Sequence, residues 1–136
     1  PNDVVVKSDG TIWFTDPPYG IMSDWEGFAG TQEYGSCNVF RFDPATGTLS
    51  VITDQFAKPN GLAFSPDESI LYVADTAGSH DPEGQRDIWA FDVGADAASV
   101  SKGRRFAVCD NGLFDGFRID VQGNVWTSAA DGVHVY

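Results

Sequence analysis

The sequence predicts an all-β protein of the β-propeller class, on the strength of an internal repeat and of strand-like apolar runs. Segments that begin at Asn2, Asn60 and Asp115 align without a gap, so their starts lie 58 and 55 residues apart. Each segment opens with Asn or Asp, runs through apolar residues, turns at Asp, Gly or Pro, and becomes apolar again. Repeated antiparallel units of this length are typical of propeller blades, although usual blades are somewhat shorter.

The strands of each unit follow in order. A short β-branched or aromatic run bounded by turn residues predicts a first strand at residues 4–6, 62–64 and 117–119. Turns rich in Asp, Gly and Pro close these strands at residues 8–10, 65–67 and 121–123, and a second apolar run follows each turn. Third strands are predicted at residues 38–42, 88–92 and 133–136, and fourth strands at residues 49–52 and 104–108.

The 136 residues are therefore interpreted as a single partial propeller domain. Its blades would span about residues 1–56, 57–110 and 111–136, the last of them incomplete. The sequence opens on Pro1 rather than Met, and we expect it to be a piece of a longer protein. A β-sandwich of eleven short strands is the alternative, but a sandwich has no reason to repeat one pattern three times in register. The helix-tolerant stretch at residues 94–101 is too short to change the class.

The composition limits the partners. Eight Lys and Arg against twenty Asp and Glu give a net charge of −12. A surface this negative disfavours binding to nucleic acid or to anionic lipid, because both need clustered basic residues. The sequence contains no apolar run of about 18 residues, the length that would predict a membrane-spanning helix. A divalent cation is the partner that the charge favours, since hard cations prefer carboxylate and carbonyl oxygens.

One register of the repeat carries the candidate site. The first strand of each propeller blade lines the central channel, so Asn2, Asn60 and Asp115 should converge on the axis. Two amide oxygens and a carboxylate form a donor set suited to calcium. The alternative is that the Asn60-Gly61 and Asp115-Gly116 pairs are only turn signals.

Other polar residues are weaker candidates. Asp16 and Asp75 follow second strands, where turn capping is the simpler interpretation. Glu33, in the long loop at residues 17–36, either reaches the site or is only solvated. His80 and His134 lack metal-ligand spacing to each other, and we expect neither to be catalytic.

The remaining special residues are assigned to packing. Cys37 and Cys109 form no CxxC motif, which favours two buried thiols over a single disulfide. Recurring strand positions favour blade-to-blade packing for three of the tryptophans, Trp13, Trp89 and Trp126. The fourth, Trp25, lies in the long loop and is expected to form the wall of a pocket.

The repeat segments also resemble a known family. Trp-Phe-Thr-Asp-Pro-Pro-Tyr-Gly at residues 13–20, Pro-Asn-Gly-Leu at 59–62 and Asp-Gly-Phe-Arg-Ile-Asp at 115–120 are similar to the gluconolactonase, senescence marker protein and luciferin-regenerating-enzyme family. The resemblance runs through the whole sequence. It implies a six-bladed propeller that hydrolyses a small-molecule lactone with one divalent metal in the central channel. Calcium is the expected metal, with zinc, manganese or magnesium as alternatives.

The resemblance also implies roles for individual residues. Asn60 and Asp115 match the metal ligands of the family, and Asp115 also matches its base or nucleophile. Asn2 and, more loosely, Glu33 match residues that contact the substrate. A glutamate ligand from the first blade of the family has no counterpart here, so we expect this sequence alone to be inactive. A calcium-dependent phosphotriesterase and a non-catalytic, metal-stabilised binding propeller are the alternative functions.

Overall fold

The computed structural model describes residues 1–136 as three antiparallel sheets that follow one another along the chain. The first sheet contains β1 (Val4–Val6), β2 (Ile12–Asp16), β3 (Cys37–Asp43) and β4 (Thr48–Phe56). The second contains β5 (Pro59–Phe64), β6 (Ile70–Asp75), β7 (Asp87–Asp92) and β8 (Arg104–Val108). The third contains β9 (Phe117–Ile119), β10 (Val125–Ala129) and β11 (Gly132–Val135). Strands that are neighbours in sequence are neighbours in every sheet, which is the order of a propeller blade.

The inner strands of the three sheets lie side by side. β5 packs against β1 and β2 on one side and against β9 on the other. All six residues of β5 are buried, because neighbouring strands cover both of its faces. Its register with β6 is irregular between Pro59 and Leu62. β5 begins three residues earlier than predicted, so Asn60 and Gly61 belong to a strand and the turn interpretation of this pair is wrong.

Two apolar clusters hold the sheets together. Between the first and second sheets, the ring of Trp13 meets that of Phe64 edge-on, with 5.1 Å between centroids, and Leu62, Val73 and Phe91 belong to the same cluster. Between the second and third sheets, the cluster includes Phe114, Phe117, Val125 and Ile88. Both clusters extend across two sheets, so burial of apolar surface stabilises the pairing of blades as well as each blade.

The packing assignments are confirmed only in part. Trp13 is fully buried between blades as predicted, and the partly buried Trp89 packs against the same cluster. Trp126 is 47% exposed on β10 of the third sheet, and its role in packing between blades stays a prediction. Cys109 is buried, Cys37 is half-buried and both are free. Burial raises the pKa of each thiol.

Helical structure is confined to short turns in the two long loops. α1 (Tyr19–Met22) lies between β2 and β3, and one turn of 3₁₀-helix (Ala77–Ser79) lies between β6 and β7. With four residues in the longer of them, neither could cross a bilayer. Both turns lie at the end of their sheet where the inner strands begin, which places them beside the candidate site.

Candidate functional site

A cleft of about 260 Å³ opens where the inner strands begin, and it brings Asn2, Asn60 and Asp115 together. The repeat register placed these three residues at one end of neighbouring strands. The rest of the wall comes mainly from the two long loops, through Tyr19, Glu26, Thr76, Ser79 and His80. These loop residues were not predicted as site residues, because irregular segments carry no periodicity that would show which side chains face inward.

Asn60 is held by one hydrogen bond to the first sheet and one to its own sheet. Its backbone carbonyl accepts a hydrogen bond from Thr15 Oγ1 at 2.7 Å. Its side-chain Nδ2 donates to Thr76 Oγ1 at 3.3 Å. No group of the chain donates to its side-chain oxygen. The residue is 9% exposed, so this oxygen is an acceptor fixed at the edge of the cleft.

Asp115 directly precedes β9 and has a free carboxylate. Its backbone N–H donates to Ser128 Oγ at 3.2 Å, which ties the residue to β10. Its carboxylate oxygens take part in no hydrogen bond or ion pair with the rest of the chain. Asp115 is therefore an anionic group that is anchored through its backbone and available through its side chain.

Gly61 allows Asp115 to approach Asn60. A Cβ at Gly61 would collide with the carbonyl oxygen of Asp115 and would lie 3.0 Å from the ring of Phe117. Only glycine permits β5 and the segment before β9 to come this close. The Asn60-Gly61 pair is therefore a point of close approach between neighbouring blades.

Asn2 is anchored through its backbone, in the same way as Asp115. Its N–H donates to the carbonyl of Thr15 at 2.8 Å, while its exposed side chain makes no hydrogen bond within the chain. The adjacent Asp3 faces the blade interface, where one carboxylate oxygen accepts from the N–H of Leu62 at 3.2 Å. The first blade is thus fixed against β5 beside the cleft.

A polar network forms the wall behind Asn60. The hydroxyl of Tyr19 lies 2.6 Å from Thr76 Oγ1 and 3.2 Å from Ser79 Oγ. Ser79 Oγ lies 2.7 Å from Nδ1 of His80. The rings of Tyr19 and His80 pack with 5.6 Å between centroids. The network joins the long loop of the first sheet to the long loop of the second.

Three further candidates lie elsewhere. Glu33 lines a neighbouring cavity of about 440 Å³ together with Asp16, rather than the cleft that holds Asn60 and Asp115. Trp25 is 92% exposed and lines neither cavity, so its prediction as a pocket wall is wrong. The capping interpretation of Asp75 is confirmed, since its carboxylate accepts from the N–H groups of residues 57, 58 and 77.

The oxygens in the cleft suit a hard cation. Asp115 supplies a carboxylate, and Asn60 supplies an amide oxygen that has no donor of its own. Asn2 adds a second free amide at the same cleft. No group of three His, Cys, Asp or Glu side chains is close enough to hold a metal ion. Amide and carboxylate oxygens of this kind fit calcium better than they fit zinc, which favours histidine and cysteine.

Comparison with known proteins gives consistent relatives. The family model described as "SMP-30/Gluconolactonase/LRE-like region" matches residues 1–136. A gluconolactonase from Zymomonas mobilis is 35% identical over 143 residues, covering 100% of this chain and 38% of the relative. Lactonohydrolase oryH from Aspergillus oryzae is 31% identical over 115 residues, covering 72% of this chain and 24% of the relative.

Solved structures confirm the predicted fold. A gluconolactonase from Xanthomonas campestris superimposes with a TM-score of 0.89 at 41% identity, covering 100% of this chain and 43% of that chain. A luciferin-regenerating enzyme superimposes with a TM-score of 0.73 at 23% identity, covering 98% of this chain and 41% of that chain. At this identity the likeness is one of fold alone. The chain spans less than half the length of the relatives that it matches.

Proposed function

We propose, from the premise that this chain belongs to the SMP-30/gluconolactonase/LRE-like family, that the whole protein hydrolyses a small-molecule lactone. The observation that carries the proposal is the pairing of the free Asp115 carboxylate with the free Asn60 side-chain oxygen in one cleft. The names of the relatives, gluconolactonase and lactonohydrolase, support this class of substrate.

Asn60 and Asp115 would hold a divalent cation, with calcium as the first choice. A bound cation of this kind supplies positive charge that stabilises the oxyanion formed when an ester carbonyl is attacked. The chain contributes the anchoring of both ligands. Asn60 is tied to Thr15 and Thr76, and Asp115 is tied to Ser128. Residues whose positions are fixed in this way need less reorganisation as charge develops, which is the basis of electrostatic catalysis.

The proton chemistry is assigned to Asp115. Its carboxylate would accept a proton from the attacking water as the water oxygen bonds to the lactone carbonyl carbon. The ring C–O bond then breaks, and the leaving ring oxygen takes the proton from Asp115. The product is a hydroxy acid with the former ring oxygen as its hydroxyl, and Asp115 is again a carboxylate. Asn2 would orient the substrate through its free amide, which can both donate to and accept from a sugar hydroxyl.

Glu33 is proposed as a more distant substrate contact. It lines the second cavity, and two pairs of residues adjacent in sequence are divided between the two cavities, Pro1 with Asn2 and Gly20 with Tyr19. A lactone small enough to occupy the cleft alone would not reach Glu33. Replacing Glu33 should therefore affect larger lactones more than it affects small ones.

The test is lactone hydrolysis by the whole protein. Proton release from glucono-1,5-lactone would be followed with added calcium and after chelation, with spontaneous ring opening subtracted. We expect calcium-dependent hydrolysis, and Asp115→Asn should lower kcat/KM by about 100-fold or more while the fold is kept.

Asp120→Asn is the matched control, since it removes a carboxylate of the same repeat unit that is hydrogen-bonded within a turn. It should retain lactone hydrolysis. Full activity of Asp115→Asn would overturn the assignment of Asp115. Hydrolysis of paraoxon in place of lactones would favour a phosphotriesterase, and calcium-dependent melting with no turnover would favour a binding propeller.

A further inference from the structure

We propose that Thr76 is a positioning residue that turns the side-chain oxygen of Asn60 toward the cleft and so sets the affinity of the site for calcium. The inference rests on the proposed function, because it presumes that Asn60 is a ligand. It gives a role to the buried hydroxyl of Thr76 and to the hydroxyl of Tyr19 behind it.

The hydrogen bonds of the Thr76 hydroxyl can be assigned from its partners. Thr76 is 2% exposed, and its Oγ1 lies 3.3 Å from the carbonyl oxygen of Lys58, 3.3 Å from Asn60 Nδ2 and 2.6 Å from the Tyr19 hydroxyl. A hydroxyl has one proton to donate and two lone pairs to accept with. The carbonyl of Lys58 can only accept, and it takes the proton of Thr76 when the Tyr19 hydroxyl donates to Oγ1. When Tyr19 donates instead to the backbone carbonyl of Thr76 at 3.2 Å, the proton of Thr76 goes to the Tyr19 oxygen. In both arrangements Asn60 meets a lone pair of Thr76 Oγ1.

This assignment fixes the direction of the Asn60 amide. An Asn side chain rotated by 180° exchanges its oxygen and nitrogen with almost no change in shape, so its partners decide the orientation. Thr76 offers Asn60 only a lone pair, and the amide nitrogen must therefore face Thr76. The oxygen is left for the cleft, where no other group of the chain donates to it.

The orientation matters because a calcium ion binds oxygen and is repelled by an N–H group. Without the acceptor at Thr76, the two orientations of Asn60 would be closer in free energy. Part of the population would then present the NH₂ group to the cation.

Tyr19 reinforces the arrangement from the other blade. It lies in α1 of the first long loop, and its hydroxyl is the shortest contact of Thr76 Oγ1. Lys58 Nζ lies 5.4 Å from the centre of the Tyr19 ring, and the His80 ring packs against it. When the Tyr19 proton points to Thr76, the hydroxyl of Thr76 cannot donate to Tyr19 and remains an acceptor.

The test is calcium binding by the metal-free whole protein, measured by isothermal titration calorimetry. Thr76→Val keeps the shape of the side chain and removes the acceptor, and it should weaken calcium binding by about 10-fold or more. Thr76→Ser restores the hydroxyl and should bind within about 2-fold of the wild type, since only a methyl group is lost. Tyr19→Phe should give a smaller loss, about 3-fold, because the acceptor remains but its orientation is no longer enforced.

Thr127→Val is the matched control for burial. Thr127 is also 2% exposed, but it lies on β10 and its hydroxyl has only a 3.5 Å contact with the carbonyl of Ser128. The Thr127→Val variant should bind calcium with the affinity of the wild type. Circular dichroism of each variant would establish that it is folded, and Tyr19→Phe tests the same chain of hydrogen bonds if Thr76→Val does not fold.

Wild-type affinity in Thr76→Val, or equal losses in Thr76→Val and Thr76→Ser, would overturn the positioning role. A wild-type protein that binds calcium without hydrolysing any lactone would overturn the proposed function and leave the role of Thr76 to be decided by the affinities. A wild-type protein that binds no divalent cation would overturn both.

Discussion

Asp67 and Asp120, at the turn end of the inner strands, use their carboxylates in the opposite way from Asp115 at the cleft end. At the turn end, Asp67 accepts hydrogen bonds from Ser65 Oγ and from both the N–H and the hydroxyl of Ser69. Asp120 accepts from two backbone N–H groups, from Asn124 Nδ2 and from the indole of Trp126. At the cleft end, the carboxylate of Asp115 accepts no hydrogen bond from the chain.

The difference follows from the local supply of donors. In the turns, the residues that follow Asp67 and Asp120 expose N–H groups that no strand partner uses, and the carboxylate satisfies them. At the cleft, the N–H groups of Asn2 and Asp115 are already bonded to β2 and β10. The repeat therefore places acids at both ends, and it leaves Asp115 available for a ligand because the N–H groups of Asn2 and Asp115 already have acceptors in Thr15 and Ser128.

Among the changes that compare the two ends, the largest effect is expected from filling the space between Asn60 and Asp115. Gly61→Ala adds a methyl group that collides with the backbone of Asp115. Overpacking of this kind should cost about 1–3 kcal/mol of unfolding free energy, and displacement of Asp115 should lower kcat/KM for a lactone by about 10-fold or more. Urea denaturation and steady-state kinetics on the whole protein would measure the two effects.

Gly10→Ala gives the same type of substitution at the turn end. Gly10 has a φ of +86° and open space where a Cβ would lie. Alanine there should cost roughly 1–2 kcal/mol through backbone strain, with kcat/KM unchanged. If Gly61→Ala retained full activity, the close approach of Asn60 and Asp115 would not matter for function.

The repeat predicted the inner strands and the residues at their starts, because each blade obeys the same pattern of turns and apolar runs. It also placed Asn2, Asn60 and Asp115 at one end of the fold. It did not show that Gly61 is a point of close approach, since an Asn-Gly pair is also a common turn signal. The difference depends on Asp115, which is 54 residues away in sequence.

The loops could not be predicted in the same way. Glu26 and Glu33 lie in one loop, and only Glu26 lines the cleft. Contacts within the loop decide this, such as the N–H of Ala29 donating to Asp24 and the N–H of Phe28 donating to the carbonyl of Gly20. No periodicity encodes such contacts. Thr76 was missed for the same reason, because its contact with Tyr19 joins it to a loop of the neighbouring blade.

A smaller effect is expected from loosening the blade interface at the cleft end. Thr15 is fully buried on β2, where its hydroxyl donates to the carbonyl of Asn60 at 2.7 Å and accepts from the N–H of Asp3 at 3.1 Å. Thr15→Val leaves both groups without this partner and should cost about 1–3 kcal/mol of unfolding free energy. Urea denaturation would measure the loss.

Thr15→Ser keeps the hydroxyl and serves as the control, since it should recover most of the stability. At the turn end, the blades are joined instead by Glu68, which accepts from Lys7 Nζ at 2.9 Å and from the N–H of Ser8 at 2.7 Å. Glu68→Gln should destabilise less than Thr15→Val, because this contact is partly solvated. The opposite ranking would show that the blades depend mainly on the turn end.

The smallest expected effect is on the pH dependence of stability, to which the acids of the turn end should contribute. Hydrogen bonds from Trp126 and Asn124 lower the pKa of Asp120 from 3.8 to about 2, and those from Ser65 and Ser69 do the same for Asp67. A pKa lowered by folding means that the charged form stabilises the native state. That stabilisation is fully present above about pH 4 and is lost as the pH falls towards 2 and below.

Asp120→Asn should therefore destabilise the metal-free protein at pH 5, and the difference from the wild type should shrink as the pH falls to 2. Asp115→Asn removes a carboxylate that accepts no hydrogen bond from the chain. In the absence of metal, this variant should therefore melt close to the wild type at pH 5. Melting temperatures between pH 5 and pH 2 would compare the two variants. If the melting temperature of Asp120→Asn lay below that of the wild type by the same amount across that range, the Asp120 carboxylate would not be held by hydrogen bonds in the turn. The contrast with Asp115 would then be wrong.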